Sequence, residues 1–227
     1  MNELTHLTTS VIAIDGPSAS GKGTVSQRVA HKLGFHYLDS GALYRIVAFA
    51  ALQNKVLWNN DDGLAKLAKS LRITFKNDEI FLNDHCITNE IRAEDISRGA
   101  SEIAVHPMVR LALLDIQREF KRQPGLVADG RDMGSVVFKE AQLKIYLTAS
   151  VEIRALRRFN QLSGNVQTAN LDQILFDLKL RDTRDSQRNT APLMQTNDAL
   201  LLNTNNIDID AAVNWVIAAY ENLNKNI

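Results

Sequence analysis

The apolar run Val11-Ile12-Ala13-Ile14-Asp15 passes directly into Gly16-Pro17-Ser18-Ala19-Ser20-Gly21-Lys22-Gly23-Thr24, and this junction constrains the chain more than any other stretch. A strand that turns through a glycine-rich loop into a helix presents a row of backbone N–H groups at the positive end of the helix dipole. Gly16 and Gly21 permit the turn and the close approach of an anion, and Lys22 adds a point charge aimed at it. The ligand that needs all of this is the polyphosphate tail of a nucleoside triphosphate, so Gly16, Pro17, Ser18, Ala19, Ser20, Gly21, Lys22, Gly23 and Thr24 are its expected contacts. The spacing departs from GxxxxGK[ST]: Gly23 follows the lysine and the hydroxyl comes one residue later, at Thr24. Thr24 remains the candidate Mg²⁺ ligand, a role that the displacement weakens.

Around this loop, short apolar segments alternate with longer amphipathic ones, the pattern of a parallel sheet covered by helices. Strands are expected at Val11 to Asp15, Phe35 to Asp39, Leu126 to Asp129, Lys144 to Thr148 and Leu200 to Asn203, which makes a three-layer α/β core on a five-stranded parallel sheet. Helices are expected from Gly23 to Leu33 with Gly34 as C-cap, from Ala42 to Asn54, on both sides of His106-Pro107, and at the C-terminus, where Val213, Val216, Ile217 and Tyr220 share a face. With 227 residues, 45% of them hydrophobic, the chain suffices for one domain, 1–227, with a small insertion.

The stretch from Arg72 to Thr88 breaks the alternation. Ile73 and Phe75 alternate with Arg72 and Thr74, Asn77-Asp78 reads as a turn, and Ile80 and Leu82 follow, so a β hairpin is expected. Its place between the second and third core strands suggests a substrate clamp beside the carboxyl ends of the sheet.

Basic and acidic residues balance at 26 each, so no net field draws the chain to nucleic acid or to an anionic membrane. The single cysteine, Cys86, excludes an internal disulfide and reads as structural or incidental. The first residues carry no signal-peptide pattern and no apolar run reaches membrane-spanning length, so a cytoplasmic protein, monomeric and free of membrane and nucleic-acid partners, is expected.

Four charged constellations flank the expected strand ends. Asp39-Ser40-Gly41-Ala42-Leu43-Tyr44-Arg45 would bring a hydroxyl and the Arg45 guanidinium to a second ligand. Asp129-Gly130-Arg131-Asp132 delivers a carboxylate suited to a second-shell magnesium role, a phosphate-binding Arg131, and Asp132. Arg181, Arg184 and Arg188 share one helical face, with Asp185 one turn beyond Arg181, as neutralising a phosphoryl group requires. Arg154, Arg157 and Arg158 follow the fourth strand and could contact donor phosphates or base. Each constellation alone also has a plain reading as solvated or locally ion-paired surface charge, one that suits Arg131-Asp132 least, since two charged residues between glycines rarely serve packing.

Together, IAIDGPSASGKGT, LDSGALYR, GASEIAVHPMVR, LVADGRDMGSVVF, KIYLTAS and RDTRDSQRNTAPL resemble the bacterial cytidylate kinases, a nucleoside monophosphate kinase group of P-loop proteins. The resemblance covers Ile12 to Leu193. It implies transfer of the ATP γ-phosphate to CMP or dCMP with Mg²⁺, a monophosphate-binding insertion at about 68–92, and a short helical lid at about 160–190 that includes the Gly164 loop. It further implies a cytosine pocket of Ser101, Arg110 and Asp132. Ser40, Arg45, Arg131, Arg181 and Arg188 form its acceptor-phosphate and positioning set, and Asp185 is its sugar contact. Lys22, Arg131, Arg181 and Arg188 are the expected catalytic residues, and Arg157 a donor contact. Direct in-line transfer is expected, since an anionic acceptor needs alignment and charge neutralisation more than a base. Another small-molecule kinase acting on UMP, AMP or shikimate is the nearer alternative. A nucleotide switch is the distant one, disfavoured because Asn54-Lys55 runs on into Val56-Leu57 and no NKxD motif forms.

Overall fold

The computed structural model describes residues 9–76, 79–163 and 170–225; the Asn77-Asp78 turn and the Gly164 loop named above lie outside them. In chain order the elements are β1 (Ser10–Asp15), α1 (Lys22–Leu33), β2 (His36–Asp39), α2 (Ser40–Gln53), α3 (Asp61–Ser70), β3 (Ile73–Lys76), β4 (Glu79–Leu82), β5 (His85–Cys86), α4 (Glu94–Ile103), α5 (Pro107–Arg118), β6 (Gly125–Gly130), β7 (Leu143–Thr148), α6 (Val151–Ser163), α7 (Leu171–Gln187), β8 (Leu200–Asn203) and α8 (Ile209–Asn224).

β1 is apolar on both faces and becomes the middle strand of a parallel sheet ordered β2-β6-β1-β7-β8. Val11 and Ala13 face a core with Leu126, Ala128 and the helices α2 to α5, while Ile12 and Ile14 face a second core with Val127, Ile145, α1 and α8. Two covered faces are what a continuous apolar strand requires. The five expected strands and the three-layer arrangement are therefore present, each strand within one residue of its expected bounds. The strand order reverses at β1, so the crevice beyond its carboxyl end is the switch point where open α/β sheets take their ligands.

Local chemistry sets the helix ends. α1 begins after Gly21 at φ 93° and ends at Gly34 at φ 66°, both in the left-handed region that glycine adopts freely. α2 starts two residues before the expected Ala42, because the Asp39 carboxylate at the end of β2 accepts the Ala42 N–H at 2.9 Å. α3 was not foreseen; Asn60 caps it through the Gly63 N–H at 3.0 Å.

The expected hairpin forms, pairing Ile73 with Leu82 and Phe75 with Ile80, and gains a third short strand, β5, which carries the exposed, free Cys86. Its position corrects the expectation of a substrate clamp. Phe75 packs edge-on to Phe120, beyond the carboxyl end of α5 and shortly before β6 begins, on the amino-terminal side of the sheet. The apolar face of the hairpin belongs to the α2–α5 core, which holds Ile73, Ile80 and Leu82. No helix among the described residues is long and apolar enough to cross a membrane.

Candidate active site

The glycine-rich loop is held from three sides. Asp15, at the end of β1, accepts the Met133 and Gly134 N–H groups at 2.8 Å each, so the segment after β6 is fastened to the root of the loop. A Cβ at Gly16 would stand 2.0 Å from the Leu147 carbonyl oxygen of β7, which leaves room for glycine alone. From α6, Arg154 donates to the Ser18 carbonyl at 3.0 Å, and Arg157 donates to the Ser20 carbonyl at 3.2 Å and the Thr204 carbonyl at 2.6 Å. The loop is thus preorganised, with Ala19 at φ 58° and Gly21 at φ 93°.

Lys22 is buried and donates to the Pro17 carbonyl at 3.2 Å. Burial, with the Arg131 charge adding, pushes its ammonium well below the usual lysine range. Burial and then the Asp39 charge push Asp129 above the usual carboxylate range, and Tyr37 donates to it at 2.7 Å. Burial also drives the Tyr37 hydroxyl upward.

Across the cavity, Asp132 is buried and ion-paired with Arg110, whose guanidinium stacks 5.8 Å above the Tyr44 ring and donates to the Ala104 carbonyl at 3.2 Å. Arg188 Nη2 lies 3.8 Å from Asp132 Oδ1, too far for a hydrogen bond, and this buried atom has no hydrogen-bond partner. Its Nε donates to the Ala191 carbonyl at 2.6 Å. Burial lowers Arg188, with Arg110 adding to the effect. An unpaired donor beside a carboxylate oxygen is an arrangement that a ligand with one acceptor and one donor would complete. Arg188 therefore sits with Arg110 and Asp132, not with the arginines expected around a transferring phosphate.

Those arginines occupy the middle of the cavity. Arg131 donates to Asp185 Oδ2 and to Ser18 Oγ, both at 2.7 Å, linking α7 to the glycine-rich loop. Burial opposes the Arg131 charge, but the Asp185 carboxylate outweighs it and raises the guanidinium. Arg45 pairs with Asp39 at 2.5 Å and keeps a buried Nε without a partner, while Ser40 donates to Gln117 at 2.8 Å. Arg181 is drawn to α4, where it pairs with Glu94 and donates to Ser97 at 3.1 Å. Ser101 accepts from Arg184 at 2.9 Å.

One cavity of about 930 Å³ is lined by the loop from Ser18 to Thr24 and by Ser40, Arg45, Ser101, Arg110, Arg131, Asp132, Arg157, Arg181, Asp185 and Arg188. Its volume lies at the upper end for small-molecule sites. Gly16 and Pro17, expected as ligand contacts, are buried under the loop and shape it from behind. No described residue of 68–92 lines the cavity; the wall opposite the loop comes from α4 and the start of α5. Five contributors escaped the sequence reading: Asp15, Tyr44, Glu94, Gln117 and the Ser101 contact of Arg184. Arg184 was visible through its helical spacing with Arg181 and Arg188, but the others act through partners distant in the chain and carried no local signal.

Among the described residues no group of three or more His, Cys, Asp or Glu side chains is arranged to hold a metal ion by itself. A site completed by ligand oxygens and water is compatible with what is present. Thr24 lines the cavity, and Asp129, buried at the end of β6, is a hard oxygen donor raised by burial and by its neighbour Asp39.

A sequence model described as Cytidylate kinase matches residues 12–222. Relatives named cytidylate kinase include one from Polynucleobacter asymbioticus, 53% identical over 93% of this chain and 96% of its own length. A second, from Chromobacterium violaceum, is 51% identical over 95% of this chain and 97% of its own, and a third, from Paraburkholderia phytofirmans, is 53% identical over 95% and 94%. The motifs spread from Ile12 to Leu193, the parallel sheet with its glycine-rich loop, and a match over nearly the whole length agree, and the chain belongs to the cytidylate kinase family.

Proposed function

We propose that the protein transfers the γ-phosphate of ATP to CMP or dCMP, giving ADP and CDP or dCDP. The observation that carries this reading is the shared cavity: the glycine-rich loop lines one side and the Asp132, Arg110 and Arg188 group the other. A phosphate-binding loop alone suits switches and kinases alike. A second polar pocket facing it suits an enzyme that uses an acceptor.

The acceptor base is read by polar side chains of the far wall. Asp132 Oδ1 accepts from the exocyclic amino group of cytosine, while Arg188 Nη2 and the Ser101 hydroxyl donate to its ring acceptors. Uracil presents a carbonyl where cytosine presents that amino group, so a buried carboxylate would face an acceptor. Arg45 and Ser40 receive the acceptor phosphate, and Asp185, held by Arg131, meets the sugar.

Transfer is direct and in line. Lys22 and the loop N–H groups hold the outer donor phosphates, and Arg131 and Arg181 neutralise charge spread over the transferring group. Arg157 flanks the donor. Thr24, and Asp129 through water, would hold Mg²⁺, which when bound offsets charge on the phosphate oxygens. The arginine-bearing segment 160–190 acts as the lid, and the acceptor wall centres on α4 and α5, with the hairpin supporting it from below.

A coupled assay with ATP, Mg²⁺ and a panel of CMP, dCMP, UMP, AMP and shikimate tests the reading. Turnover should be highest with CMP and dCMP; preference for AMP, UMP or shikimate, or ATP hydrolysis with no phosphorylated acceptor, would overturn it.

A further inference from the structure

Helix α4 turns one polar stripe toward the arginines of α6 and α7. Glu94, in its first turn, pairs with both Arg158 and Arg181. Ser97, three residues on, accepts from Arg181 at 3.1 Å, and Ser101 accepts from Arg184 at 2.9 Å. Positions 94, 97 and 101 share one face of α4, as positions 181 and 184 share one face of α7, so the two helices meet as a ladder of donors and acceptors. Of the three acceptors only Glu94 is charged.

The placement of that charge is informative. Arg158, Arg181 and Ser97 line the cavity, whereas Glu94 does not. Its carboxylate, 48% exposed, stands at the rim and draws both guanidinium tips toward it. Two guanidiniums that converge on one carboxylate are also placed to converge on one phosphate, because both anions offer closely spaced oxygens to planar donors. An arginine committed to the carboxylate must leave it to bind the phosphate fully. Exposed ion pairs are weak and screened, so the exchange is accessible at every turnover.

We propose that Glu94 is a positioning residue whose carboxylate holds Arg158 and Arg181 at the cavity rim and competes for them with the phosphates of the bound nucleotide. This rests on the reading that Arg181 meets a transferring phosphate. The direction of the effect follows from the competition. Glu94 weakens the hold of the enzyme on phosphorylated nucleotides and, by reclaiming the arginines, speeds departure of the nucleoside diphosphate product.

The test compares the wild type with Glu94→Gln, Glu94→Asp, Arg181→Ala and the Glu94→Gln/Arg181→Ala double variant. CDP affinity is measured by calorimetry, KM and kcat in steady state, and folding by thermal unfolding. Glu94→Gln keeps the shape and removes the charge. It should bind CDP about three- to five-fold tighter and lower KM for CMP by a similar factor without raising kcat, as expected when a weak ion pair is removed. Glu94→Asp should return toward wild type, and the shift should shrink in the Arg181→Ala background, where only Arg158 remains for the carboxylate to hold. Unchanged or weakened CDP binding in Glu94→Gln overturns the proposal, as does a shift of undiminished size without Arg181. An impaired Arg181→Ala beside an unshifted Glu94→Gln sinks the Glu94 role alone, whereas an Arg181→Ala variant with wild-type kcat removes the phosphate reading beneath it.

Discussion

Asp15 Oδ1 accepts the backbone N–H of Met133 at 2.8 Å, joining the residue before the glycine-rich loop to the residue after Asp132. Its other oxygen takes the next N–H, from Gly134, at 2.8 Å. The two halves of the cavity thereby share one buried carboxylate, which ties the glycine-rich loop to the segment that carries Asp132.

Asp15→Asn leaves a single carbonyl oxygen for two N–H donors and turns an amide toward one of them. A loss of about 1–3 kcal/mol is expected at neutral pH, a fall in Tm of several degrees by thermal unfolding. The pH dependence identifies the group. Burial raises Asp15 from 3.8 to about 6, so between those values the folded protein holds a proton that the unfolded chain releases. Its contribution to stability falls as pH rises through that window and is level above it; the Asn variant should lack that part of the slope. An Asn variant with wild-type Tm and an unchanged pH profile would show that the carboxylate is not required.

Lys22 should report its burial in the alkaline range. Its ammonium is lowered from 10.5 to about 8, by burial first and by Arg131 next, so the free enzyme loses this charge as pH passes about 8. kcat/KM for ATP should decline above that pH, while kcat, measured with the triphosphate bound and the charge stabilised, should hold to higher pH. Stability moves the other way for this group: the folded state binds fewer protons than the unfolded chain between about 8 and 10.5, so its contribution rises with pH there. A kcat/KM profile flat to pH 10 would contradict the assignment.

Asp132→Asn removes a charge that faces both Arg110 and Arg188 and, on the proposed reading, places an amide against the cytosine amino group. CMP use should drop roughly ten-fold or more relative to UMP, the scale of one unpaired buried polar group. Equal losses with both acceptors in steady-state assays would show that Asp132 does not read the base.

Arg131 and Arg188 should separate kinetically, because the structure places one between Asp185 and Ser18 and the other beside Asp132. Arg131→Ala should lower kcat about a hundred-fold, the cost of one charge-stabilising donor. Arg188→Ala should chiefly raise KM for CMP and leave ATP affinity unchanged. The reverse pattern, with Arg188 controlling kcat and Arg131 only KM, would exchange their roles.

Much of this was legible in the chain because it rests on local chemistry. An apolar strand running into Gly16-Pro17-Ser18-Ala19-Ser20-Gly21-Lys22 specifies a turn, a helix start and an anion site within a few residues, and alternating segments specify strands and the three-layer class. Gly34 and Pro107 mark helix ends through backbone preferences. The hairpin from Ile73 to Leu82 was equally local.

Location was not. The hairpin went to the amino-terminal side of the sheet because Phe75, Ile73 and Ile80 found apolar partners in the α2–α5 core, a choice made by packing across long chain separations. Arg188 joined Asp132 rather than Arg131 and Arg181 because the end of α7 passes over that carboxylate. Asp15, Gln117 and Glu94 gained their roles from partners far away in the chain.

 Ser40 and Gln117 lie 77 residues apart in the chain, Glu94 and Arg181 87, and Asp15 and Met133 118.

By itself, then, the sequence determined the glycine-rich loop, the strand and helix pattern, and the charged residue types gathered near the strand ends, because each depends on neighbours a few positions away. Only the tertiary structure decided which arginine meets which carboxylate, which carboxylate joins the two halves of the cavity, and which helices wall the cavity opposite the loop. Those outcomes depend on which distant side chains can be buried together with their charges and hydrogen bonds satisfied, a condition that no local pattern encodes.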